Sequence, residues 1–165
     1  MPIEDGGAAS WLRRLLIRGG RALCFTHPLA RDGRSEFLGT PTSSIRTLLA
    51  WHEARPDRPF FLKLPMSAEL GGEWRDFDAE EAARCVRRSA LIRALGPGGF
   101  GVLPETLALG ASIVRELPPR TRLLPWFELG ERARPLIRPF LRAWLVSAIA
   151  HGWAPDAHAQ NVLFD

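Results

Sequence analysis

Four groups of polar residues in this chain have types and spacings suited to chemistry on a phosphate or a carboxylate. The densest is Asp156, His158, Gln160 and Asn161, a D-x-H-x-Q-N pattern inside the otherwise apolar stretch 151–165. A carboxylate there suits a hard cation, which prefers oxygen ligands. The second group is Ser44-Ile45-Arg46-Thr47. A hydroxyl beside a guanidinium makes an oxyanion or phosphate site, because Arg gives planar, bidentate hydrogen bonds to such groups. The third is Lys63, held in the apolar run from Pro59 to Pro65. An ammonium in such a strand must find a partner or reach water, and its compact charge suits a triphosphate oxygen. The fourth is Arg75, twelve residues after Lys63. Two plainer readings compete. Ser44 and Arg46 fit a solvated edge strand with a Ser/Thr-rich start, and the C-terminal cluster fits a polar loop satisfying the carbonyls at a helix end.

Composition adds weight to three of these positions. Of 22 basic residues 21 are Arg, and Lys63 is the only lysine. Gln160 is the sole glutamine and Asn161 the sole asparagine. Abundant Arg, Ala, Gly, Pro and Leu are expected of GC-rich coding DNA, under which generic surface positions drift to Arg, Asp, Glu and Ala. A surviving Lys, Gln or Asn then marks a position where those substitutes fail chemically; chance survival is the competing account.

The 165 residues, 46% of them apolar, suffice for one domain or one large piece of a bigger one. No stretch approaches the roughly 18 apolar residues of a membrane helix. The start, Met1-Pro2-Ile3-Glu4-Asp5, has no signal-peptide character. Cys24 and Cys85 read as two buried thiols of a reducing compartment, hence a cytoplasmic protein. Net charge is +4 with the arginines scattered, which argues against a nucleic-acid module.

The elements that must position these groups follow from periodicity and punctuation. Residues 10–19 read as a helix capped by Ser10 and stopped by Gly19-Gly20. A short strand follows at 21–26, then a loop-like segment at 29–41. The Ser/Thr cluster feeds a strand on which Ser44 and Arg46 share a face. A polar connection, 52–58, leads to a strand at 59–65 with Phe60, Leu62 and Leu64 on one side and Lys63 on the other. These two strands pair antiparallel. Residues 78–95 form a helix with capping-box spacing at Asp78 and Glu81. Strands at 99–104 and 111–116 flank a connection at 106–110, and 136–150 form a helix with a broad buried face ending at Gly152. A strand begins at Val162. The expected class is α+β, an antiparallel sheet flanked by helices.

In this order the motifs resemble those of the NRPS-independent siderophore synthetases of the aerobactin-synthetase (IucA/IucC) type. That family has Ser-x-Arg-Thr, a strand Lys followed by Leu, an Arg twelve residues on, and Glu-x-His-x-Gln-Asn after a helix. The corresponding residues here are Ser44-Ile45-Arg46-Thr47, Lys63-Leu64, Arg75 and Asp156-Ala157-His158-Ala159-Gln160-Asn161. The resemblance covers residues 25–165 and implies an ATP-dependent ligase of siderophore biosynthesis. Such an enzyme adenylates citrate or a related carboxylic acid, and an amine or alcohol then displaces AMP. Carried over, Ser44, Arg46, Thr47, Lys63, Gln160 and Asn161 would hold ATP, and Asp156 would sit where the family's Glu binds Mg2+ or the substrate region. Arg75 and His158 would contact the reacting carboxylate and the α-phosphate. Such a step crowds anionic groups, which preorganised cations offset.

The chain departs from the pattern in having Gly71 where the family has Thr, and Asp156 where it has Glu. Family members run to several hundred residues, so 1–165 is expected to be one partial synthetase domain. Its expected protein partner is a second copy or a complementary synthetase half. Two other functions fit less of the chain. His151-Gly152, Asp156 and Asn161 followed by Val162-Leu163-Phe164-Asp165 are similar to the catalytic loop of a kinase-like small-molecule phosphotransferase, but no Gly-rich loop precedes them. A non-catalytic binding domain is the third.

Overall fold

A computed structural model describes residues 2–25, 35–42, 44, 46–65, 69–70, 73–74, 78–95, 101–102, 104–117, 131, 134–152 and 162–163. The elements run β1 (Ile3–Asp5), α1 (Ser10–Leu16), β2 (Ile17–Arg18), β3 (Arg21–Ala22), β4 (Phe37–Pro41), β5 (Thr47–His52), β6 (Arg55–Lys63), β7 (Glu69–Leu70), β8 (Glu73–Trp74), α2 (Ala79–Leu95), β9 (Gly101–Val102), β10 (Glu105–Leu109), β11 (Ser112–Glu116), α3 (Arg134–His151) and β12 (Val162–Leu163). The class is α+β, as the sequence pattern implies. The chain divides into two compact units, one of residues 1–90 and 105–117, the other of residues 91–104 and 118–165.

The first unit is built on a six-stranded antiparallel sheet in the order β1-β10-β11-β6-β5-β4. Period-two alternation sorts its side chains onto two faces. On one face Phe60 and Leu62 of β6 join Leu107, Leu109, Val114, Ala50 and Leu64, and Leu12 and Leu16 of α1 cover them. On the other, Ala108 and Ile113 receive Ala82 and Val86 of α2, with Cys85 packed alongside. Lys63 pairs across strands with Ile113 and so belongs to the α2 face. The antiparallel β5–β6 pair and the division of β6 between Phe60, Leu62 and Lys63 follow the expected alternation.

The helix start at Asp78 also follows expectation: its Oδ1 accepts the backbone N–H of Glu81 at 2.8 Å. Four small side chains, Ala82, Cys85, Val86 and Ser89, bring α2 close to the sheet. The closest approach is at Gly6, where an added Cβ would lie 2.7 Å from Val86 Cγ1 and 3.2 Å from Val86 O. Gly6→Ala is expected to destabilise the fold by about 1–3 kcal/mol through overpacking. Urea unfolding checks this, and a Gly6→Ala, Val86→Ala double variant should recover part of the loss.

Several boundaries differ from those read off the chain, each for a local reason. Residues Ile17 and Arg18 leave the helix to pair with Arg21 and Ala22. Gly19 and Gly20, with φ of +58° and +73°, form the hairpin turn between them, a geometry requiring positive φ at both central positions. Ser10 is not the cap of α1. Ala9 holds that position without a side-chain cap, and the backbone N–H groups of Gly7, Ala8 and Ala9 donate to the carboxylates of Asp5 and Glu116 instead. Phe37–Pro41 is an edge strand rather than loop; Gly39 and Pro41 hide the alternation, and Pro is tolerated at an edge. The polar run 55–58 belongs to β6, with only Glu53 and Ala54 between it and β5. Thr106–Gly110 is not a connection: it carries β10, and Gly110, at φ +59°, makes the turn to β11.

In the second unit, β9 pairs antiparallel with β12, so a strand does begin at Val162. The helix α3 ends where expected, with the N–H of Gly152 (φ +68°) donating to the Ala148 carbonyl at 3.0 Å. Its broad apolar face is only partly buried, in contrast to expectation: Ile137, Phe140, Trp144 and Ala148 are half-buried, whereas Leu141, Leu145 and Ile149 are exposed. No described helix is long and apolar enough to cross a membrane.

Candidate functional site

Of the nine residues singled out by sequence, four lie among the described residues, and all four gather at one end of β5 and β6. Thr42, Ser44 and Thr47 are tied together by hydrogen bonds at the head of β5. The N–H of Thr47 donates to the Ser44 carbonyl at 3.0 Å, and the N–H of Thr42 to the Thr47 carbonyl at 3.2 Å. The Thr42 hydroxyl donates to the Thr47 carbonyl at 2.8 Å and accepts from the Ser44 N–H at 3.1 Å. Ser44 therefore sits in a turn and not on the strand, and the expected sharing of one strand face by Ser44 and Arg46 does not hold. The loop brings the Ser44 and Thr47 hydroxyl oxygens within 3.3 Å instead.

Thr47 is the direct cross-strand partner of Lys63, and the Leu64 N–H donates to the Arg46 carbonyl at 2.8 Å. Ser44, Arg46, Thr47 and Lys63, separated by up to nineteen positions in sequence (63 minus 44), thus meet at one corner of the sheet. Arg75, Asp156, His158, Gln160 and Asn161 lie outside the described residues. Asp156 is the expected Mg2+ ligand; among the described residues no group of three or more His, Cys, Asp or Glu is placed to hold a metal ion.

The corner also contains residues that the sequence did not announce. Glu105 Oε1 lies 2.7 Å from Arg115 Nη2 and 4.0 Å from Lys63 Nζ. Its presence on this face depends on a bulge. Glu105 pairs with Arg115 but Leu107 pairs with Val114, so β10 carries one more residue than β11 over this interval. In a regular strand residues 105 and 107 would share a face. The extra residue, Thr106, lets Leu107 enter the α1-side core while Glu105 turns to the Lys63 side, the re-aiming that bulges accomplish. Thr106 is itself 2% exposed and satisfies its hydroxyl on the Val114 carbonyl at 3.3 Å. The N–H of Glu105 donates to Ser89 Oγ at 2.8 Å, tying the bulge to α2.

Side-chain exposure is 24% for Lys63, 15% for Arg115 and 12% for Glu105. Burial pushes the Lys63 ammonium below its ordinary value; Glu105 opposes that shift, whereas Arg115 and Arg46 reinforce it. Among the described residues, Arg46, Lys63, Arg115 and the Glu105 carboxylate share a half-dry corner with two hydroxyls, a set suited to an anion with several oxygens. Cys85 borders it. Burial raises its thiol, the Glu105 carboxylate raises it further, and Lys63 works in the opposite direction. Cys24, in contrast to its expected burial, is exposed. Thiol labelling at neutral pH is accordingly expected to modify Cys24 first and Cys85 slowly, since the thiolate is the reactive form; peptide mass mapping over time checks the order.

Compared with known protein families, with curated proteins and with solved structures, the chain matches none.

Proposed function

We propose that the loop 42–47 and the Lys63 end of β6 bind the phosphate oxygens of ATP. The activity we assign is that of an ATP-dependent ligase, adenylating citrate or a related acid and condensing it with an amine or alcohol in siderophore biosynthesis. The observation that carries the reading is the cross-strand pairing of Thr47 with Lys63 beside the Ser44 turn. Two sequence motifs expected to serve one nucleotide thus supply neighbouring groups. Residue type supports it as well: Arg46, Lys63 and Arg115 supply charge-assisted donors, and partial exclusion of water strengthens their attraction for a polyanion. Gln160 and Asn161 as further ATP contacts, Mg2+ at Asp156, and carboxylate activation by Arg75 and His158 rest on the order of the motifs alone.

ATP–pyrophosphate exchange tests the ligase reading. With Mg2+ and citrate, exchange that depends on the acid is expected. ADP release without exchange would replace the ligase with a phosphotransferase, and ATP binding without either reaction would leave a binding domain.

A further inference from the structure

The Lys63 corner holds its carboxylate unequally between two cations. Arg115 contacts Glu105 Oε1 at 2.7 Å, a close charge-assisted hydrogen bond, whereas Lys63 stands 4.0 Å from the same oxygen. An incoming phosphate can take the ammonium from Glu105 without stripping the carboxylate of its guanidinium. We infer that Glu105, anchored by Arg115 at 2.7 Å and turned to this face by the Thr106 bulge, is a positioning residue that keeps Lys63 at this corner and hands it to a bound phosphate. This assignment rests on the phosphate site proposed above and adds to it a residue outside all four motifs.

The groups facing the ammonium define what Glu105 does. Among the described residues they include Arg115 from β11, Arg46 from the loop before β5, Glu105 from β10 and Cys85 from α2, with Glu81 and Arg88 of α2 acting on Cys85. Burial and both guanidinium groups favour loss of the Lys63 proton, and Glu105 leads the opposition. Arginine does not give up its proton in this setting. Without the carboxylate, repulsion among the three cations falls hardest on the Lys63 proton, the one of the three that can leave, and weakens Lys63 as a phosphate ligand.

The lone lysine makes this measurable, because an acylating reagent that spares arginine finds one side-chain amine in the chain. The experiment follows the pH–rate profile of acetic anhydride labelling at the Lys63 peptide, with and without tripolyphosphate. In the wild type, tripolyphosphate is expected to slow labelling severalfold. In Glu105→Gln, which keeps an acceptor oxygen for Arg115, the profile should shift to lower pH, with Lys63 labelled severalfold faster at pH 7 and tripolyphosphate protection lost there. Glu105→Asp, which keeps the charge but draws it back by one methylene, should shift the profile in the same direction and less far. Wild-type profiles in both folded variants would overturn the positioning role even if tripolyphosphate still protects. Should Glu105→Gln fail to fold, the Glu105→Asp profile decides. Absence of protection in the wild type, with the profile still shifted in the variants, would instead overturn the phosphate site and leave the Glu105–Lys63 coupling standing.

Discussion

Glu105→Ala is expected to destabilise the first unit by about 2–4 kcal/mol, somewhat less than the loss when one member of a fully buried charge group is removed, because this group is partly exposed. Arg115 is 15% exposed along its side chain and loses its 2.7 Å partner. Lys63 loses the carboxylate that opposes its burial, and Arg46 adds to the repulsion. The alanine also leaves a gap where β10 meets α2 beside Ser89. Denaturant unfolding followed by tryptophan fluorescence reads the effect. A Glu105→Ala, Lys63→Met double variant should be less damaged than the single one, because one stranded charge is gone; equal damage would mean the two residues are not coupled.

Phe60→Ala should be about as severe, roughly 3–5 kcal/mol, for the different reason that it opens a cavity. Phe60 is 0% exposed. Its ring meets Phe37 edge to face with centroids 6.2 Å apart, and its cluster includes Leu12 and Leu16 of α1. The strand carrying it also carries Lys63, so the anion corner should loosen with the core. Phe60→Leu, which retains most of the volume, is expected to lose less than half as much in the same unfolding measurement. Equal losses for Leu and Ala would show that the ring, and not the filled volume, matters at this position.

What could be read from the chain was whatever depended on local periodicity. Phe60, Leu62 and Lys63 separate onto two faces because one strand obeys one rule, and Asp78 starts α2 because its side chain reaches only three residues. The long helix end at Gly152 was legible for a similar reason. Features decided by partners far along the chain were not. Nothing local distinguishes Thr106 as a bulge; the run Leu107-Ala108-Leu109 does not alternate because helices cover both faces of β10, and buried strands of that kind are continuous in hydrophobicity. Glu105 was invisible as a site residue because its direction depends on that bulge. Gly19-Gly20 carries the same signal for a helix stop and for a hairpin turn, and pairing of Ile17 with Ala22 decides between them. Ser44, Arg46, Thr47 and Lys63 stand out by residue type alone, but the turn that joins the Ser44 and Thr47 hydroxyls depends on backbone hydrogen bonds that strand alternation does not show.

If Lys63 serves the proposed phosphate site and not the fold, Lys63→Met shows it most directly, in two readings on one protein. Methionine keeps the length of the side chain and removes a charge that burial opposes, while Glu105 keeps Arg115. Stability at neutral pH is therefore expected to stay within about 1 kcal/mol of wild type or to rise. The folded ammonium has its pKa lowered from 10.5, so wild-type stability should gain on the variant as pH climbs toward that value and fall behind as pH drops. Calorimetry with Mg2+ and ATP should at the same time show binding about 10- to 100-fold weaker than wild type, the loss of one charge-assisted contact. Unchanged affinity together with several kcal/mol of lost stability would contradict the account and make Lys63 a member of a structural ion group.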